Sequence, residues 1–162
     1  MRDKSDEGPT QGSPIKKPCD STAARVRVSP IVEIRVQASE FDGMCYVHVR
    51  EYILGDDNDY HATQKGVAAP IERLSQLLDA VKELRAAGET DGVVATLALG
   101  SRRAIRLSIS SWKGTRKADM RVFMTVDGAE EMVATKKGIR CNLALLAEIE
   151  RGLELLERGM SQ

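Results

Sequence analysis

The sequence predicts an α+β fold of two tandem ββββα units, each a four-stranded antiparallel sheet closed by a C-terminal helix, the two packed as an intramolecular pseudo-dimer. Three observations carry this. Long stretches alternate apolar and polar residues, the period of a strand with one buried face. Each half of the 162-residue chain ends in a run with leucines at three-four spacing, the period of an amphipathic helix. The two halves can be laid over each other with an offset of 71 residues, rising to 72 after the third strand.

Residues 1–23 are expected to form a disordered tail. Asp6 to Pro14 is rich in turn formers and has no apolar period. The first unit spans residues 24–88. Val26 and Val28 alternate with Arg25 and Arg27, and Val32, Ile34, Val36 and Ala38 with Glu33, Arg35, Gln37 and Ser39. Phe41-Asp42-Gly43 reads as a hairpin turn, Met44 to Leu54 as a third strand and Tyr60 to Ala69 as a fourth. Pro70 opens a helix whose Leu74, Leu77, Leu78, Val81 and Leu84 share one face, and Gly88 stops it.

The second unit spans residues 93–160. Val93 to Leu99 is a strand, and Ile105, Leu107 and Ile109 alternate in the next. Trp112-Lys113-Gly114 begins a turn, Met120 to Val126 is a strand, Asp127-Gly128 a hairpin turn, and Met132 to Cys141 is extended. Asn142 is placed to cap a helix carrying Leu145, Leu146, Ile149, Leu153 and Leu156. In register, Ile34, Val36 and Ala38 meet Ile105, Leu107 and Ile109, Phe41 meets Trp112, and Thr63-Gln64-Lys65-Gly66-Val67 meets Thr135-Lys136-Lys137-Gly138-Ile139. Shared periodicity would not by itself produce Thr-x-Lys-Gly in register. One such unit buries too little surface to be stable alone, so the halves are expected to pack helix against helix.

Net charge is zero, so any site for phosphates must come from local charge. Residues 30–91 carry twelve acids against six Lys and Arg, and residues 92–162 carry twelve Lys and Arg against eight acids. The second half is therefore the expected partner for phosphates. Cys19, Cys45 and Cys141 are odd in number, far apart and without a CxxC pair, which argues against both a disulfide framework and a zinc site. The expected compartment is a reducing interior, the cytoplasm and nucleoid in a bacterium or the nucleus in a eukaryote. No stretch approaches the ~20 apolar residues of a membrane helix.

Phe41-Asp42-Gly43, Val47-His48-Val49-Arg50-Glu51-Tyr52 and Gln64-Lys65-Gly66-Val67, followed by a leucine-rich helix, resemble the positive cofactor four transcriptional coactivator family. Trp112-Lys113-Gly114 and Thr135 to Ile139 match the same landmarks again. The resemblance implies curved four-stranded sheets, pairing of two units through their helices, and single-stranded DNA bound across the sheets. Whirly and purine-rich-element-binding proteins are similar in architecture. The chain departs from the family pattern at Asp42, where a basic residue is usual, and at Ile53, where a Trp is frequent. The second half reads as lacking Arg-Glu-Tyr, with Val122-Phe123-Met124 in its place, and as having a longer, more basic hairpin.

Binding a single strand needs rings on which bases stack and cations that follow the backbone. Phe41 and Trp112 occupy equivalent hairpin positions and are the candidate platforms, the alternative for Trp112 being a ring folded onto the core. Lys113, Arg116 and Lys117 follow in the basic hairpin. Lys136 and Lys137 precede a glycine where backbone can approach a ligand, or serve as edge-strand lysines that block aggregation. Lys65 carries the same reading by equivalence. Arg35 and Arg106 either contact phosphate or pair with acids such as Glu33 or Glu51. Arg50 and Tyr52 match the family motif, with Tyr52 also open to a half-buried place in the sheet. One asymmetric site spanning both halves is expected, weighted toward the second.

No catalytic residue, cofactor or metal is expected. His48 and His61 are isolated, no phosphate loop or nucleophile elbow is present, and the acids of Gly55 to Asp59 lack the closing glutamate of a calcium loop. The partner implied is single-stranded DNA. Single-stranded RNA, the transcription machinery, and a protein-interaction module without nucleic-acid binding stay open beside it. No membrane partner is expected, and the internal pairing allows a monomeric chain.

Overall fold

Each alternating run becomes a strand in the computed structural model, which describes residues 19–160, with Trp112 described by its backbone alone. The first sheet comprises β1 (Ser21–Arg27), β2 (Val32–Phe41), β3 (Met44–Leu54) and β4 (Tyr60–Pro70). A 3₁₀ turn (Ile71–Arg73) leads into α1 (Leu74–Ala87). The second sheet comprises β5 (Gly92–Ala98), β6 (Arg103–Trp112), β7 (Thr115–Met124) and β8 (Val133–Asn142). A second 3₁₀ turn (Leu143–Leu145) precedes α2 (Leu146–Met160). Both sheets are antiparallel, with neighbours in chain order.

Several sequence expectations change at this level. The tail was expected to reach residue 23, but Ser21 to Ala23 already belong to β1, because Ser21 and Thr22 find partners in Ala38 and Gln37. Residues 1–18 lie outside the described residues. The second hairpin is not longer than the first. Phe41 pairs with Met44 and Trp112 with Thr115, each across a two-residue turn. Asp42 and Gly43 have φ of 53° and 81°, and Lys113 and Gly114 51° and 79°, the left-handed pair whose twist matches antiparallel strands. β7 therefore starts at Thr115 rather than Met120 and ends at Met124. Asp127 and Gly128 turn inside a wider loop over residues 125–132. Asn142 gives no side-chain cap; its Oδ1 accepts from Lys117 Nζ at 2.6 Å instead.

The helices are exchanged between the halves. α1 packs on β5 and β6 of the second sheet, and α2 on β1 and β2 of the first. They also pack on each other antiparallel, with Ser75 donating to Glu157 at 2.5 Å and Arg85 to Glu150 at 3.2 Å. Gly152 marks how closely α2 approaches the first sheet: a Cβ there would lie 2.8 Å from that of Ala24 and 2.9 Å from that of Val36. The expected helix-to-helix pairing is thus only part of the interface. Each sheet's apolar face is covered by the other half's helix, and one core runs through both halves.

The cysteine reading is corrected as well. Cys19 and Cys45 are joined by a disulfide, with Cα atoms 5.8 Å apart. The 26-residue separation hid this, but pairing of β1 with β2 and of β2 with β3 returns the chain to the same end of the sheet. Cys141 is free and buried, and burial pushes its thiol pKa up to about 11.

Candidate functional site

The Thr-x-Lys-Gly repeat is the local device from which the site is built. In the first sheet Arg50 pairs with Gly66 and Tyr52 with Ala62, so Thr63, Gln64 and Lys65 bulge opposite Glu51 alone. In the second, Arg121 pairs with Gly138 and Phe123 with Ala134, so Thr135, Lys136 and Lys137 bulge opposite Val122. The threonine hydroxyls tie each bulge, accepting from Lys65 N–H at 3.0 Å and Lys137 N–H at 3.1 Å. Arg50 Nη1 then donates to Thr63 O at 2.9 Å, and Arg121 Nη1 to Thr135 O at 3.0 Å.

The glycines belong to this device. A Cβ on Gly138 would lie 2.7 Å from the Arg121 guanidinium, and one on Gly66 would lie 2.8 Å from Arg50 Cα. The neighbouring strand crowds each glycine, through Arg50 and the Val49 carbonyl at Gly66 and through the Arg121 guanidinium and the Met120 carbonyl at Gly138. A packing reason for the Lys-Gly pair thus stands beside the expected approach of a ligand to backbone there. The same register corrects the second-half motif. The counterpart of Arg50-Glu51-Tyr52 is Arg121-Val122-Phe123, so the arginine is kept.

β4 and β8 run close together where the halves meet, and two clefts flank the meeting line. The first, about 560 Å³, is floored by the outer face of the first sheet. Tyr46, His48 and Arg50 line it from β3, Gln64, Gly66 and Ala68 from β4, and Phe41 from the hairpin. The second half contributes Arg103, Val122 and Lys137. The second cleft, about 330 Å³, is its pseudo-symmetric copy: Arg121, Lys136, Gly138 and Arg140 from the second sheet, with Glu51 and Lys65 from the first half. Each bulge lysine, Lys65 or Lys137, thus serves the other half's cleft. Both are exposed.

The predicted residues divide between this region and others. Phe41, Arg50 and Lys137 meet in the first cleft, and Lys65 and Lys136 in the second. Phe41 is 73% exposed, a ring open to solvent. Trp112 holds the equivalent position by its backbone, opposite Thr115. Arg35 instead pairs with an acid: its Nε donates to Glu33 at 2.6 Å, and its guanidinium lies 4.1 Å from the Tyr52 ring centre. Arg25 joins Glu33 at 2.8 Å. Burial alone would raise the Glu33 pKa, but hydrogen bonds and charge from Arg25 and Arg35 outweigh it and hold it below the usual value. Tyr52 is half-buried, its hydroxyl accepting from Gln37 at 2.6 Å. Arg106 stacks on Phe123 at 4.4 Å, with Ala104 standing where the first half has Glu33, and no carboxylate pairs with it among the described residues.

The basic hairpin does not act as one patch. Period two puts Arg116 on the side of Ala118 and Met120, opposite Lys117 and Arg121. It ties down the linker between the halves, donating to Asp91 Oδ1 at 2.6 Å and to Glu89 O. Lys113 is exposed at the turn, and Lys117 is held by Asn142.

Sequence reasoning missed Tyr46, His48, Arg103, Arg121 and Arg140. Alternation with Arg50 places Tyr46 and His48 on its face, and the 71-residue offset leads from Arg50 to Arg121. Arg103 arrives from the other half and had no sequence signal. His48 receives or gives a hydrogen bond with Ser39 at 2.9 Å, while its Nδ1 is buried without a partner. Burial, and after it the Arg50 charge, lower its pKa and so favour the neutral ring.

A model of the family described as Transcriptional Coactivator p15 (PC4) matches residues 32–80 and 99–150. Among solved structures, a PC4 homologue from Burkholderia pseudomallei K96243 is 30% identical, over 43% of this chain and 93% of that one, with a TM-score of 0.39. A bacteriophage T5 homologue of the eukaryotic transcription coactivator PC4, implicated in recombination-dependent DNA replication, is 24% identical, over 43% of this chain and 80% of that one, with a TM-score of 0.38. No curated protein matches the chain.

Proposed function

The chain belongs to the Transcriptional Coactivator p15 (PC4) family, with both of its halves matched, and from that premise we propose that it binds single-stranded DNA across the two composite clefts, in transcription regulation or DNA maintenance. The observation that carries the reading is the first cleft. It combines an exposed ring, Phe41, with Arg50, Arg103 and Lys137, and no carboxylate lines it. Stacking and phosphate attraction are the two interactions a single strand needs, and here they converge. The excess of acid in residues 30–91 does not oppose this, because Arg103 and Lys137 are lent by the basic half.

Trp112 is assigned a second stacking role by its equivalence to Phe41, and Lys65 and Lys136 follow the backbone in the second cleft. Lys113 and Lys117 flank that path, and no catalytic step is part of it. Fluorescence anisotropy with labelled single-stranded and duplex oligonucleotides over a salt series tests the reading. The expected result is micromolar or tighter single-strand binding that weakens with salt, with a log–log slope of about −0.7 for each phosphate contacted. Absence of single-strand binding at low salt would sink it. Competition with oligoribonucleotides decides whether DNA is preferred over RNA.

A further inference from the structure

We infer that the two clefts do unequal work, so that a single strand lies across the protein in one direction, with a base seated in the first cleft and sugar–phosphate in the second; this rests on the single-strand reading above. A strand has a direction. Two equal clefts related by a two-fold axis would accept it either way round with equal energy, whereas two different clefts would not.

The difference lies at equivalent positions. Tyr46 and His48 line the first cleft, and their counterparts in register, Lys117 and Asp119, make the second sheet's face polar. The Tyr46 and His48 ring centres are 6.5 Å apart and tilted by 60°, next to exposed Phe41. Rings so grouped give a planar base a stacking surface.

The cations differ too. Asp119 holds Arg121 at 2.9 Å and Arg140 at 3.6 Å, so two of the second cleft's four cations are already partly neutralised. Glu51 lines that cleft where Val122 lines the first. Among the described residues no carboxylate pairs with Arg50, Arg103 or Lys137. The first cleft therefore offers larger volume, rings and uncompensated charge together. Lys137 is the lysine lent to the stronger cleft, and Lys65 the one lent to the weaker.

The test uses the full chain and an oligothymidine of about twelve nucleotides, enough to span both clefts on the scale of single-strand sites. A photoreactive thiothymidine is placed at the 5′ end in one oligonucleotide and at the 3′ end in another, and the cross-linked peptides are mapped. Each end is expected to label the lining of one cleft only, around Tyr46 and Lys137 for the first or around Lys65 and Arg140 for the second, and the two ends opposite clefts. Equal labelling of both clefts from either end would overturn the inference. In parallel, Lys137→Ala is expected to weaken binding about tenfold and Lys65→Ala by about twofold or less, because Lys137 meets the phosphate beside the seated base in a cleft without a carboxylate, whereas Lys65 shares its cleft with Glu51. Both side chains are exposed, and thermal melts matching the parent establish that the variants fold. Equal losses overturn the division of work while leaving single-strand binding intact; no binding by the parent at low salt overturns the functional reading itself.

Discussion

Phe41 shows how one position divides stability from function. At 73% exposure the ring adds little to the core, so Phe41→Ala should change stability by no more than about 0.5 kcal/mol. Its loss as a platform should weaken single-strand binding by about 1–3 kcal/mol, read by anisotropy beside a thermal melt. A large drop in melting temperature with unchanged affinity would place the ring in the fold instead. Glu33 is the opposite case, a 7%-exposed carboxylate held by two arginines. Its pKa is lowered in the folded state, so its stabilisation is complete above the ordinary carboxylate value and fades as pH falls through the folded one. Urea midpoints of the parent should fall on acidification through that window more steeply than those of Glu33→Gln. Parallel profiles would contradict the assignment.

At the scale of elements, strands and helices were legible because their periods are local. Val26 to Ala38 and Ile105 to Ile109 each announce a buried face. What was not legible is where the helices go. The leucines of α1 and α2 specify an apolar stripe but not which sheet it covers, and the exchange appears only in three dimensions. Gly152 carries that information without announcing it. On helix propensity alone, Gly152→Ala should stabilise by about 0.8–1 kcal/mol. Because the new methyl would meet Ala24 and Val36 at under 3 Å, we expect a net destabilisation of about 1–2 kcal/mol from overpacking, measured by chemical denaturation. A stabilised variant would mean that α2 does not sit on the first sheet. The Thr-x-Lys-Gly motif was visible, but its cause was not: the glycine is explained by an arginine on the neighbouring strand, a contact that follows from register rather than spacing.

For the whole molecule, the duplication was readable and the composite nature of the clefts was not. Sequence assigned the site mainly to the basic second half, by counting charge along the chain. The fold instead floors the larger cleft with the acidic half and brings cations to it from the other. Arg103 and Lys137 reach Phe41 and Arg50 only through the meeting of β4 with β8. The helix exchange has a further consequence. A chain cut to residues 1–88 leaves its own sheet uncovered and its helix without a sheet, so it should be unfolded or should pair into a dimer that restores the exchange. Sedimentation and circular dichroism distinguish these, and a stable folded monomer would contradict the exchanged packing.

The site's location is tested most directly by amide chemical-shift mapping of the isotope-labelled chain during titration with an oligothymidine. The account predicts that shifts concentrate at Arg50, Gly66, Ala68 and Lys137, extend to Gly138 and Arg140, and leave the solvent faces of α1 and α2, such as Arg85 and Arg151, unmoved. Shifts confined to the helices, or none at saturating oligonucleotide and low salt, would contradict it.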